Sequence, residues 1–415
     1  MSVGIRHDDL RRRNRALVIA AIRRAGQPSR TEVARITGLS HSTISAISAD
    51  LIAEGVLAQI KGGETPVLKR GRPQVAIGLS SEAAAVVAVV LSLNSLTAAL
   101  IDYSGQILAE ERRRLETQTI GRDALVAETV AIVRSMAHAR EVGERRVMRV
   151  VMAVQGITDS QARTLLWSPI TAHSDVAFAD AIEQATAIPA TIENDCSMIA
   201  IALRWRNPRR YDEDFITILL SHGIGMGLVL KGELFTGTHS SGAEFGHMIH
   251  QPEGALCRCG RRGCVEAYAG SYAIWRNVNQ KSDHEPPVAD IPAAAMAELA
   301  DAARRGEGPE REAFRKAGRA IGFGLGNLFA LIDPAPVAIV GRGASAFDLI
   351  EPPLREAIAL TAGGQHSKSI SFDTEPNEMP LIREGCAMRA LTFVDQEIFA
   401  PGSSAPQEPR GKEVA

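Results

Sequence analysis

Residues 247–268 read "HMIHQPEGALCRCGRRGCVEAY" and hold two histidines and three of the chain's five cysteines. His247, Cys257, Cys259 and Cys264 follow the spacing H-x9-C-x-C-x4-C. Three soft thiolates and one imidazole suit a tetrahedral zinc site. Gly260 and Gly263 permit a compact turn between the last ligands. Four protein ligands leave no position for water, so the spacing predicts one structural Zn2+ per chain rather than a catalytic metal. His250 is the alternative fourth ligand. A disulfide is the competing use of these cysteines, and the redox compartment decides between the two.

No secretory signal is apparent. The apolar run in "MSVGIRHDDLRRRNRALVIAAIRR" is short and flanked by arginines on both sides. The longest apolar stretch, "AAAVVAVVLSLNSLTAALI", is broken by Ser and Asn and reads as paired strands, not a bilayer span. The expectation is a cytoplasmic protein with no membrane partner and reduced cysteines, which favours metal over disulfide. The 415 residues allow two or three domains, and 45% hydrophobic with 4% aromatic content fits an α/β protein. The net charge of −2 hides an asymmetry. Residues 1–75 carry 13 Lys and Arg against 6 Asp and Glu, a net +7, so the remainder is net −9. A basic head on an acidic body implies a polyanionic partner for the head.

The elements that position these groups follow from periodicity and caps. "LRRRNRALVIAAIRRA" places Leu10, Leu17, Ile19, Ala21 and Ile22 among arginines, as a basic amphipathic helix. Ser29 is placed to N-cap a second helix, with Glu32 completing a capping box and Gly38 ending it. Ser40 starts a third helix that Gly55 stops. Two short helices across a tight turn form a helix-turn-helix. Arg30, Ser40, His41, Ser42, Thr43 and Ser45 are then candidate contacts to bases or phosphates. Residues 56–79 read as a β-hairpin wing. Lys69, Arg70 and Arg72 form a basic arm suited to a narrow minor groove.

From about residue 82 strands alternate with helices, which predicts a two-lobed α/β body. "IPATIEND" reads as a strand running into a loop, and residues 400–415 as a disordered tail. The expected division is 1–80 as the winged head, 81–195 plus 386–399 as the first lobe, and 196–385 as the second lobe with the zinc site.

"GAEFGHM" followed by "CRCGRRGCVEAY" resembles the signature of the ROK family of repressors, open reading frames and sugar kinases. "IENDC" resembles the family's catalytic Asn-Asp motif, and a head ending in "GRP" resembles its transcriptional-repressor branch. The resemblance spans the chain to about residue 398. It implies an actin/hexokinase-like (ribonuclease H-like) body with a sugar between the lobes. Asn194, Asp195, Glu244, His247 and Glu266 would hold the sugar. A histidine fixed by zinc through one ring nitrogen offers the other to the ligand.

The departures bear on activity. Where family kinases carry Asp-x-Gly-Gly-Thr in the first phosphate loop, this chain has "VLSLN", Val90 to Asn94. The acid and both glycines are missing, which removes metal and phosphate positioning. Asp195, the family's base position, then reads as a ligand contact, and no catalytic residue is assigned. A Pro-Gly pair is replaced by Gln155–Gly156, and an Asn after "SP" is replaced by Ile170 and Thr171. Gln155 or His173 are candidates to compensate. The function this implies is a sugar-responsive repressor, a homodimer or homotetramer on an inverted-repeat double-stranded DNA operator, with a monosaccharide or derivative as effector. The alternatives are an ATP-dependent sugar kinase with an added DNA-binding head, and a regulator that answers to a partner protein.

Overall fold

The computed structural model describes residues 7–60, 75–238, 242–288 and 290–400. Lys69, Arg70 and Arg72 lie outside these residues, as does all of the expected tail after residue 400.

The chain begins with three helices, α1 (His7–Ala25), α2 (Arg30–Thr37) and α3 (His41–Ala53). Local chemistry sets their ends. Ser29 Oγ accepts from the Glu32 N–H, and Gly38 closes α2 in the left-handed region at φ +70°. Ser40 Oγ accepts from the Thr43 N–H at 3.1 Å and starts α3. The strands β1 (Leu57–Ile60) and β2 (Ala76–Leu79) pair antiparallel beside them, with Leu57 opposite Leu79. Val18, Ile19, Ile22, Val33, Ile44, Leu51 and Ile77 form the buried centre of this head. Leu10 and Leu17 differ from expectation, being 49% and 42% exposed. The fully buried apolar residues of α1, Val18, Ile19, Ala21 and Ile22, lie in its second half.

Two five-stranded sheets build the body. The first has the order β5-β4-β3-β6-β9. Its strands are β3 (Ala85–Ser92), β4 (Ser95–Asp102), β5 (Ile107–Arg114), β6 (Val147–Val154) and β9 (Ala190–Asn194). β3, β4 and β5 run antiparallel, whereas β3, β6 and β9 run parallel. Side chains of β3 alternate between two cores. Ala85, Val87, Val89 and Leu91 meet α4 (Arg122–Ala137) and α5 (Phe178–Thr186). Val86, Ala88 and Val90 face α6 (Asp195–Arg206) and α13 (Glu378–Phe393). Burial on both faces explains why β3 reads as an unbroken apolar run. The short pair β7 (Ile157–Thr158) and β8 (Leu165–Trp167) follows β6.

The second sheet has the order β12-β11-β10-β13-β14. It comprises β10 (Phe215–Leu220), β11 (Ile224–Leu230), β12 (Glu233–Phe235), β13 (Val337–Val340) and β14 (Phe372–Glu375). α8 (Glu266–Ala269), α9 (Ser271–Val278), α10 (Ala293–Arg305), α11 (Pro309–Ile332) and α12 (Phe347–Ala359) lie on the side of this sheet away from α6, sharing one apolar core. α6, the short α7 (Pro208–Tyr211) and α13 cover the other face, so α6 and α13 lie between the two sheets. Glycines permit this approach. A Cβ on Gly385 of α13 would stand 2.0 Å from the Met198 carbonyl of α6. One apolar cluster runs unbroken from the head through α6 and α13 into both sheets. Among the described residues no helix is long and apolar enough to cross a membrane.

Candidate functional site: a carboxylate cleft beside a histidine–tricysteine cluster

The four expected metal ligands converge. Their donor atoms all lie within 4.8 Å of one another. Cys257 Sγ is 3.7 Å from His247 Nδ1, and Cys259 Sγ is 3.7 Å from Cys264 Sγ. That sulfur spacing is far beyond the roughly 2.05 Å of a disulfide, and every cysteine is free. The turns are set locally. Gly260 and Gly263 have φ of +83° and +80°, and a Cβ on Gly263 would stand 1.8 Å from the Gln251 carbonyl. The loop closes on itself through Cys257 N–H to Arg261 O at 2.9 Å and His250 N–H to Gly263 O at 2.7 Å. His250 is not part of the cluster; its ring lies against Tyr268 and Phe323. Three thiols and a histidine nitrogen, on two buried and two half-buried residues, fit a tetrahedral soft-metal site, so the group could hold a metal ion.

The orientation of His247 links this cluster to the cleft. Its Nδ1 faces the sulfurs, while Nε2 points to Glu244 Oε2 at 3.8 Å. The cleft itself is lined by Gln155, Trp167, Asn194, Asp195, Glu244, His247 and Glu266, with about 800 Å³ of empty space including its mouth. All five residues expected around a sugar therefore meet in one place, although they come from three separate segments of the chain.

Their partners divide them by task. Asn194 ends β9 and caps α6: its Oδ1 accepts from the Cys196 and Ser197 N–H groups at 2.9 and 3.1 Å, and its Nδ2 donates to Gly156 O at 2.9 Å. The strand thus passes directly into a helix, where a loop was expected, because this cap satisfies the first free N–H groups. Asp195 is buried, accepts the Cys196 N–H at 2.9 Å, and lines the cleft. Burial, with a smaller push from the Glu244 charge, raises its carboxyl to about 7. Burial likewise raises Glu244. Glu266 is 4% exposed and accepts from the Ile224 N–H at 3.0 Å, fixing the glycine turn before β11 beside the cluster.

Trp167 carried no signal in its own neighbourhood. It stands at the end of β8 with its ring edge-on to His247, centroids 5.7 Å apart. A solitary tryptophan two positions before a proline was the only available hint. Of the two compensating candidates, Gln155 lines the cleft. His173 does not; its Nε2 is bonded to Ile120 O at 2.8 Å.

The segment "VLSLN" forms the end of β3 and a tight two-residue turn, with Ser92 opposite Ser95 and Asn94 at φ +55°. Gly225 and Gly227, at the start of β11, serve packing. A Cβ on Gly225 would meet Cys196 Sγ at 2.3 Å, and one on Gly227 would meet Cys196 O at 2.4 Å. Nearby, His222 Nδ1 lies 3.1 Å from Asp290, and Arg342 bonds its Nε2.

On the head, Ser40, His41, Ser42 and Ser45 are exposed at the start of α3, with Arg30 and Thr43 half-buried. The Ser40 hydroxyl lies 2.8 Å from those of Ser42 and Thr43. Four of the six arginines of α1 are engaged elsewhere: Arg11 with Asp50, Arg15 with Glu54, Arg23 with Asp395 and Arg24 with Asp212. The positive charge read from the sequence is therefore partly neutralised in the folded head.

Two sheets closing on a cleft, with α6 and α13 between them, make the body an α/β protein of the actin/hexokinase-like class. The chain belongs to the ROK family, whose profile matches residues 86–375. It is 23% identical over 360 residues to the Xylose repressor of Caldicellulosiruptor bescii, covering 85% of this chain and 88% of that one. It is 24% identical over 383 residues to the DNA-binding transcriptional repressor Mlc of Escherichia coli, covering 88% and 90%. In fold it resembles a crystallised ROK family transcriptional regulator, a homologue of the E. coli Mlc protein, with TM-score 0.76, 21% identity, and 95% and 99% of the two chains covered. It also resembles a ROK family glucokinase from Streptomyces griseus solved with glucose and AMPPNP, with TM-score 0.58 and 24% identity, covering 73% of this chain and 98% of that one.

Proposed function

We propose that the protein is a sugar-responsive, DNA-binding transcriptional repressor. The observation that carries this reading is a cleft lined by Asp195, Glu244, His247 and Glu266, joined in one chain to a head that exposes a serine-rich helix start. The head is a winged helix-turn-helix. α3 enters the major groove with Ser40, His41, Ser42, Thr43 and Ser45, and Arg30 contacts the backbone. Lys69, Arg70 and Arg72 reach the minor groove. A homodimer or homotetramer matches an inverted-repeat operator. Repressor relatives that align over most of the chain support this.

In the cleft, Asp195 and Glu244 accept hydroxyl protons of a monosaccharide, and Trp167 offers an apolar wall to its ring. Asn194 and Glu266 act by holding α6 and the glycine turn in place. His247, Cys257, Cys259 and Cys264 would hold a structural Zn2+. Its charge would fix the His247 ring so that Nε2 faces the ligand.

The two-residue turn at Leu93–Asn94 supports a protein without kinase activity, since it supplies neither a phosphate-binding loop nor a carboxylate for magnesium. Incubation with ATP, magnesium and a hexose panel is expected to give no turnover above background; sugar-dependent ATP consumption would instead establish the kinase alternative. The defining experiment is a sugar screen read by release of a duplex selected from a random library. No effect from any sugar sinks the sensor assignment. Arg72→Ala is expected to weaken duplex binding and lower the log–log salt slope by about one. An unchanged slope places the arm off the DNA.

A further inference from the structure

α1 belongs to the head, yet its last turn is anchored in the body. Arg23 is 8% exposed and makes a two-pronged bond to Asp395, Nε to Oδ2 and Nη2 to Oδ1, each 2.7 Å. Its Nη1 donates to Tyr103 O at 2.9 Å, and the Tyr103 hydroxyl donates to Asp395 Oδ1 at 2.6 Å. The guanidinium also lies over the Tyr103 ring, 4.6 Å from its centroid. Phe399 packs edge-on against Tyr103, and Arg15 of α1 bonds its carbonyl. A buried ion pair with both partners satisfied contributes fixed geometry more than net stability.

The other side of this joint leads to the cleft. Asp395 sits where α13 widens into a π turn, Val394–Ile398. α13 lies against α6 with Gly385 on the Met198 carbonyl. Backbone packs directly on backbone there, with no side chain between them to absorb a shift. α6 begins at Asp195 and is capped by Asn194, both on the cleft.

We propose that the buried Arg23–Asp395–Tyr103 joint is the coupling element that passes a shift of the α6–α13 pair at the cleft to the DNA-binding head. This rests on the sugar-responsive reading for the signal at one end and the DNA at the other. The ligand pulls on Asp195, α6 carries α13, and Asp395 turns α1 through Arg23. A rigid two-ended connection supplies a contiguous path between the sites, and coupling follows when the ligand binds the two placements of the α6–α13 pair with different affinity.

The first test needs no ligand. A fluorophore is placed at exposed Glu32 of α2 through a non-natural residue, since the native cysteines include the expected metal ligands. Time-resolved anisotropy of the full chain is then compared with Asp395→Asn. The wild type is expected to tumble as one body. The variant is expected to gain a fast component while keeping its metal content and the thermal transition of the body. If Asp395→Asn does not fold, Tyr103→Phe, which removes one hydroxyl bond to Asp395, provides the same readout. An unchanged decay in the folded variant overturns the proposal.

The second test uses D-glucose, D-xylose and N-acetylglucosamine with a duplex selected by the wild type. A sugar that raises the wild-type Tm is expected to change duplex Kd at least tenfold. In Asp395→Asn the same sugar raises Tm equally, but duplex Kd moves less than twofold. A tenfold change retained in Asp395→Asn also overturns the proposal. If no sugar raises the wild-type Tm, the sugar reading fails separately, and the anisotropy comparison still decides the joint.

Discussion

Cys259→Ser is expected to remove the bound metal and, with it, sugar binding. One equivalent of zinc per chain should be found in the wild type by elemental analysis, and a small fraction of that in the variant. The stretch around the cluster has only a small apolar core of its own, Ala255, Cys257, Cys264 and Ala267. Structural zinc contributes folding free energy directly, about 10–16 kcal/mol in isolated finger peptides. Here the surrounding body supplies most of the core, so the expectation is local opening of residues 247–264, a lowered Tm and retained helical content. His247 then loses its fixed orientation, and Glu266, adjacent to Cys257 at 3.6 Å, loses a packed neighbour. Sugar affinity should fall at least tenfold, the lower end of what disturbing the surroundings of a metal ligand costs. A variant that keeps full stability without metal would refute the structural role.

The second large effect concerns Asp195. Burial raises its carboxyl from the ordinary carboxylate range to about 7. The folded state therefore holds a proton between about pH 4 and 7 that the unfolded chain releases. Stability consequently falls as pH rises through this window, by on the order of 2–4 kcal/mol once Asp195 is ionised. Asp195→Asn keeps an oxygen for the Cys196 N–H and removes that cost. Without ligand the variant should melt several degrees above the wild type at pH 8 and alongside it at pH 4. Sugar should stabilise the wild type and not the variant. Wild-type affinity should weaken as pH falls below about 7, because the protonated carboxyl loses acceptor capacity. Equal destabilisation of the variant at both pH values would contradict this account. A residue that costs stability alone and contributes only with ligand bound is what a binding site requires.

Much of the site was readable along the chain. The ligand spacing of the histidine–tricysteine cluster is short, and its glycines dictate turns within a few residues, so local sequence suffices. The caps at Ser29 and Ser40 are equally local, because a side-chain oxygen reaches an N–H only three residues away. The paired strands around Leu93 and Asn94 were also visible, since Ser and Asn break the apolar run there. The rest depended on residues distant in sequence. The close packing of Cys196 against Gly225 and Gly227 is one such case.

Periodicity and short spacing along the chain were enough to pick out the histidine–tricysteine group, the head's helix boundaries and the alternation of strand and helix. The cleft carboxylates Asp195, Glu244 and Glu266 came instead from the resemblance to the ROK family. Folding in three dimensions was needed to show that Trp167 walls the cleft, that Asn194 is committed to a helix cap, and that Arg11, Arg15, Arg23 and Arg24 of α1 pair with acids. It alone joined Arg23 to Asp395 across 372 positions. Long-range partners are chosen by packing and desolvation in three dimensions, and no local pattern encodes which buried carboxylate a given arginine will meet.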